Sequence, residues 1–460
     1  MLLSKSFFCI LSLFIAVTTA DLAASVIKTR AAERRIRGGR GSSKVVRSRR
    51  PAFTATPDPS IVNVLDFGAK GDGVFDNTAA FNAAVSYLAP TGGEVQVPSG
   101  NYSFLGSVIL TKGVTLSGTF DAVASTSHEL PTRGSILMVR GGRGNESGAS
   151  FLTLHEDSAV RGFIFYYPDN VISAVPAPYP WTIELNGNNN AVEDVELLNV
   201  WNGISAVGAA RHYIARVQGQ PANIGIKVDQ TYDIGRIEDV HWNPWWSDDV
   251  NYLSWQITRG VGFLIARTDW EYVLNTFVFG MSNGYQFVSS PDGSCNGNFL
   301  GIGADCCTNS SVTVDSSDPY GILITNGEFT SFTFGTDNNF DHTQVVVSST
   351  NAGAIRFVNS AFWGPSHQIA KIAGSGSVGF ESCMFNTWDA AKTGESAIQV
   401  SGGDLLVRGC DFQADKIGGH VLLKSGAGKA IITDNLIVGK LNVTNLGAKK
   451  AIVVNNADDS

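Results

Sequence analysis

The chain has 460 residues, more than one ordinary compact core accommodates, with 50 glycines, 26 phenylalanines and only 16% charged side chains. That balance excludes a long-helix or coiled-coil protein and favours many short strands and turns, and an elongated repeat escapes the size limit because each unit buries its face against its neighbours. The formal net charge is −8, from 33 basic and 41 acidic side chains. Residues 1–50 hold 11 of the basic ones and two of the acids, which leaves 22 against 39, a net of −17, for residues 51–460. Such a body is a poor partner for nucleic acid.

The first twenty residues read as a secretory signal: Lys5 provides the positive start, Phe7 to Val17 a short apolar stretch, and Thr18-Thr19-Ala20 a small-residue cleavage site. The stretch is too short to span a bilayer and no other segment suits, so no membrane association is expected. Residues 21–58 form a basic segment without apolar period, ending its charged run in Arg47-Ser48-Arg49-Arg50; it reads as a disordered pro-segment or linker, removed or retained. The folded domain is expected over 59–455. A secreted protein of the extracellular space or cell wall, monomeric, is the resulting expectation. Four sequons accompany it, at Asn101, Asn145, Asn309 and Asn442.

The segment Asp76-Asn77-Thr78 is predicted to start a helix running to about Leu88, with Phe81, Ala84, Val85 and Leu88 on one face. Strands are expected at Glu94–Val97, Val108–Leu110 and from Val114. Further on, a period appears. Val195, Val217 and Val240 end related tetrapeptides spaced by 22 and 23 residues; Phe362, Phe385, Phe412 and Ile437 end a second series spaced by 23, 27 and 25. Helical repeats would need longer 3.6-period runs. A coil of short parallel strands fits, each turn pairing with the next at roughly 4.8 Å. In it Cys383 and Cys410 share a phase, two residues before a stacked phenylalanine, and become neighbours as a bridge or as a thiol stack. Cys295 with Cys306 or Cys307 would close a small loop, as a second disulfide candidate.

The opening Val62-Asn-Val-Leu-Asp-Phe-Gly-Ala-Lys-Gly-Asp-Gly-Val-Phe-Asp-Asn-Thr-Ala-Ala-Phe81, with Gly93-Glu-Val-Gln-Val-Pro-Ser-Gly-Asn-Tyr102, resembles the start of the pectate lyase superfamily domain, of the rhamnogalacturonase and epimerase kind. The resemblance implies an all-β, single-stranded right-handed parallel β-helix, here with an N-terminal cap helix, and activity on polysaccharides. It leaves hydrolases, lyases, epimerases and non-catalytic binders open. Gly68, Gly71 and Gly73 suit turns, and Asp66, Asp72 and Asp76 lack the spacing of a calcium loop, so no metal site is expected. The polygalacturonase motifs are missing in context: Asp248-Asp249 follows Ser247, Gly303-Ala-Asp305-Cys-Cys has one acid, and Gly418-Gly-His420 lacks the trailing glycine.

The densest polar and aromatic region is 229–286. Asp269 and Glu271, two residues apart in a strand, would place carboxyls roughly 6.5–7 Å apart on one side, a spacing suited to inverting hydrolysis and equally to a surface ion-pair ladder. Asp248 and Asp249 are the alternative acids or turn residues. Trp242, Trp245, Trp246, Tyr272, Arg267 and His241 are the candidate substrate contacts, aromatic rings being able to stack on sugars or to pack a loop. The reading is a secreted glycoside hydrolase with two catalytic carboxylates and no cofactor. A pectate lyase-like lyase (with calcium possible) or epimerase, and a wall-associated glycan binder, are the alternatives.

Overall fold

The computed structural model describes residues 58–120, 130, 133–332, 342–413 and 418–460. The signal reading, the basic segment and Cys9 lie outside them. The described chain is a right-handed parallel β-helix. Among the described residues thirteen strands form one parallel sheet and twenty-five form another, and each inner strand pairs with its counterparts one turn below and one turn above.

The larger sheet is folded along its length by a column of residues in the left-handed region. Asp194, Arg216, Asp239, Asn275, Asn326, Asn359, Ser382 and Asp434 all have φ between 48° and 59°. Asparagine and aspartate tolerate this backbone better than other side chains, and Gly301 and Gly409 occupy the same corner in other turns. The corner explains the repeat seen in the sequence. Val195, Val217 and Val240 follow it directly and stack in register. Phe362, Phe385, Phe412 and Ile437 stack likewise further along, each three residues past its corner. The core is a stack of such columns; the rings of Phe357 and Phe380 lie parallel at 5.1 Å.

The N-terminal end is closed by helix α1 (Thr78–Leu88), which buries Ala80, Phe81, Ala84, Val85 and Leu88. Its capping differs in detail from expectation. Asp76 Oδ1 accepts from the Thr78 amide at 3.1 Å. Asn77 is instead buried and ties Lys70 to Ser103 through its amide. Asp72 closes the preceding turn by accepting from the Val74 and Phe75 amides. The strands expected at Glu94–Val97, Val108–Leu110 and from Val114 run Gly93–Gln96, Val108–Leu110 and Val114–Ser117. A second helix, α2 (Val250–Arg259), was not foreseen; Asp249 caps it by accepting from the Asn251 amide at 2.9 Å.

The disulfide expectation is corrected. Cys295, Cys306, Cys307, Cys383 and Cys410 are all buried free thiols. Cys383 and Cys410 stack on adjacent turns, and the hydrogen bond between their sulfurs, with burial, holds the Cys383 thiol protonated. Cys295 lies in the core and burial pushes its thiol well up. The sequon residues Asn101, Asn145, Asn309 and Asn442 are all exposed. Among the described residues no helix is long and apolar enough to cross a membrane.

Candidate active site

The acids singled out in the sequence do not converge. In the strand Thr268–Leu274, Trp270 adopts a left-handed φ of 54° and the pairing register slips between Thr268 and Glu271. A bulge of this kind reverses side-chain alternation. Asp269 therefore faces outward, while Glu271 turns into the core and is fully buried. Asp269 pairs bidentately with Arg267 at 2.7 and 2.8 Å, and the Arg267 guanidinium lowers its pKa. Arg267 also covers the ring of Tyr232 at 5.3 Å. Glu271 accepts from Thr268 Oγ1 at 2.7 Å and pairs with His212 Nε2 at 3.0 Å. His212 Nδ1 meets the Ala209 carbonyl at 2.8 Å. Gly235 packs on this pair so closely that any Cβ there would overlap both side chains. The pair ties three turns together inside the coil, out of reach of a polymer.

The remaining candidates also separate. Asp248 is exposed and Asp249 caps α2. Trp242 is fully buried in the lumen against Phe263. Trp246 is buried on the outer surface, where its ring meets Tyr166 at 5.9 Å and its indole N–H bonds Asn199. Trp245 and Tyr272 are exposed. His241 lies on the outer face, its ring edge-on to Phe277 at 5.1 Å.

Phe277 leads to the site. Past the left-handed corner, each turn contributes a short strand: Phe277–Phe279, Gly303–Asp305, Glu328–Phe329 and Ala361–Phe362. Their outward positions line a cleft of about 370 Å³, whose walls include Phe277, Gly303, Asp305, Glu328, Thr330 and Trp363. Gly303 leaves the gap. A Cβ there would meet the Phe277 ring at 2.8 Å. Gly303 pairs with Glu328, so Asp305 lies one strand away from Glu328 and two residues along. Strand spacing and rise put their Cα atoms roughly 8 Å apart.

The two carboxyls have different surroundings. Asp305 is largely buried, and desolvation raises its pKa to about 6, helped by the nearby Glu328 charge and opposed by the Cys306 amide. Its Oδ1 has no hydrogen-bond partner among the described residues, nor does Thr330 Oγ1 beside it. Glu328 is exposed and accepts from the Trp363 indole N–H at 2.9 Å, which fixes ring and carboxylate together. Burial separates an acid that holds its proton up to about pH 6 from a partner in contact with water. The sequence had offered Asp305 as a lone acid. Its partner comes from the next turn, 23 residues later, which a search within one segment does not find. No group of three or more potential metal ligands occurs among the described residues.

The family model described as rhamnogalacturonase A/epimerase, pectate lyase-like, matches residues 61–149, the cap helix and first turns. The fold is pectin lyase-like. Solved structures with a similar fold include bacteriophage phi29 gene product 12, at 16% identity and TM-score 0.57, covering 85% of this chain and 57% of that one. The catalytic unit of an α-1,3-glucanase from Streptomyces thermodiastaticus superposes with TM-score 0.54 at 14% identity, over 87% of this chain and 70% of that one. A DFA-IIIase from Arthrobacter chlorophenolicus gives TM-score 0.50 at 11% identity, over 81% and 95%. A search of curated proteins finds no match.

Proposed function

We propose that the protein is a secreted enzyme that hydrolyses a polysaccharide, with Asp305 as general acid and Glu328 as general base. The observation that carries this is the pair itself: a buried carboxyl with its pKa raised to about 6 and an exposed carboxyl, in one cleft, on adjacent turns. Inverting hydrolysis uses carboxyls about 6.5–9.5 Å apart, which the register accommodates. A sugar ring stacks on Trp363 and Phe277. The Asp305 hydroxyl donates its proton to the glycosidic oxygen, and Glu328 takes a proton from the water that attacks the opposite face. The glycan is neutral or weakly charged. Among the described residues that line the cleft the ionisable groups are Asp305 and Glu328, with no Lys or Arg, so the side chains described there favour a neutral glycan over a polyuronate. The α-1,3-glucanase superposition agrees with a glucan-like substrate. Exposure of all four sequon asparagines agrees with a secreted glycoprotein.

The test is Asp305→Asn and Glu328→Gln in purified protein on a panel of neutral glycans. Each should lower kcat by about 10²–10⁴-fold, with new reducing ends and no unsaturated product. Wild-type turnover by both variants would remove the pair from the chemistry. Binding without turnover by the wild type would leave a glycan binder. Activity in the wild type should also fall about tenfold per pH unit above pH ~6, because Asp305 must stay protonated.

A further inference from the structure

The wall of the cleft does not stop at Phe277. Strand register continues its column down the outer face through His241, Gln218 and Glu196. Flanking residues Val195, Leu197, Val217, Val240 and Trp242 all point into the core, so these three side chains point out. Yet Gln218 is only 1% exposed and Glu196 only 3%. Neither amide atom of Gln218 has a hydrogen-bond partner among the described residues. Buried side-chain amides are almost always paired, so an unpaired one calls for an explanation.

Beside them runs the segment 243–249, which leaves the coil directly after Trp242, the Asn243 amide bonding the Gly219 carbonyl at 3.1 Å. It crosses the outer face at the next positions along the same strands. The Ser247 amide donates to Gln220 Oε1 at 2.7 Å, and Gln220 Nε2 returns a bond to the Ser247 carbonyl at 2.9 Å. The Trp246 indole bonds Asn199, and the ring joins Ile136, Ile164 and Leu198 in a separate apolar cluster. Ser247 Oγ donates to the Ile172 carbonyl at 2.8 Å.

We propose that residues 243–249 are a strap over a continuation of the cleft, and that lifting it exposes Gln218 and Glu196 as hydrogen-bonding groups for further sugar units of a long neutral glycan. Resting on the hydrolase reading, it adds a length preference to that site. One sugar ring sits at Asp305 and Glu328; the next units follow the column past Phe277 and the His241 ring. Their hydroxyls take the Gln218 amide and the Glu196 carboxyl, groups with both donor and acceptor capacity. The amide and carboxyl are held ready on rigid strands, and only the strap has to move.

Two measurements test this. The first is hydrogen exchange of the full chain carrying Asp305→Asn, with and without linear α-1,3-glucan oligosaccharides, short and long. Long chains should speed exchange at the Ser247 amide at least about tenfold as its bond to Gln220 is released, and short ones should not. Equal response to both, or none to either while the oligosaccharide binds, overturns the strap. The second is Gln218→Leu. Removing an unpaired buried amide should raise Tm by a few degrees, while the ratio of long-chain to short-chain affinity falls about tenfold. A lower Tm with an unchanged ratio makes Gln218 a structural residue and sinks the proposal. Both readouts are binding and stability, so a wild type that binds glucan without cleaving it would retire the hydrolase reading and leave the strap standing.

Discussion

Two buried ionisable groups give the molecule a common response to pH. Glu196 is almost fully buried, and desolvation raises its pKa to about 7. Its folded state holds a proton that the unfolded chain releases near its ordinary value, so this contribution to stability is complete at acid pH. It is lost as pH rises from about 4.5 to about 7, a difference on the order of 3 kcal/mol. At His212, burial opposes the charge, but the charge and hydrogen bond of Glu271 outweigh it and raise the pKa. Its contribution is likewise present below the unfolded value near 6.5 and lost as pH rises through the folded one. Both signs agree: Tm should decline between about pH 5 and pH 8. Glu196→Gln should flatten the lower half of that decline, whereas His212→Phe should lower Tm at every pH, because it leaves the Glu271 carboxylate buried without its partner. Calorimetry across pH checks both. The buried thiols make a further case. Native protein should resist a thiol reagent at Cys295, Cys306, Cys307, Cys383 and Cys410, and all five should react once it is unfolded.

At the level of single turns, the sequence was legible wherever a position repeats. The Val195 and Phe362 series were visible because identical inward positions recur at the same phase, and α1 because its apolar period is 3.6. What escaped were features that break a local period. The left-handed Trp270 sends Asp269 and Glu271 to opposite sides; the parity that Asp269 shares with the inward Phe263 and Ile265 calls for a bend or bulge if the charges face solvent, but tryptophan is not a residue that favours such a backbone and does not mark its place. The cleft was missed for the converse reason: Asp305 and Glu328 are strangers in sequence and neighbours only through register. Helix α2 went unread because it buries little more than Tyr252 and Gln256. Two substitutions separate packing from site at this scale. Phe362→Ala, in a core column, should cost about 3–5 kcal/mol, seen as a shifted denaturant midpoint. Gly303→Ala should cost far less, since its Cβ would press on the outward Phe277 ring, and should instead raise KM by narrowing the cleft.

For the whole molecule, a coil of stacked turns distributes stability as a chain of nearest-neighbour interfaces. The cleft lies in the turns from Asn275 to Trp363, well inside the stack: Phe385, Phe412 and Ile437 carry its column three turns beyond Phe362. Each of its short strands has a neighbour above and one below. Opening such a strand breaks two ladders at once, whereas local opening elsewhere leaves it untouched. The chemistry is thereby insulated from fraying: the wall that holds Asp305 and Glu328 keeps its shape until the stack itself gives way.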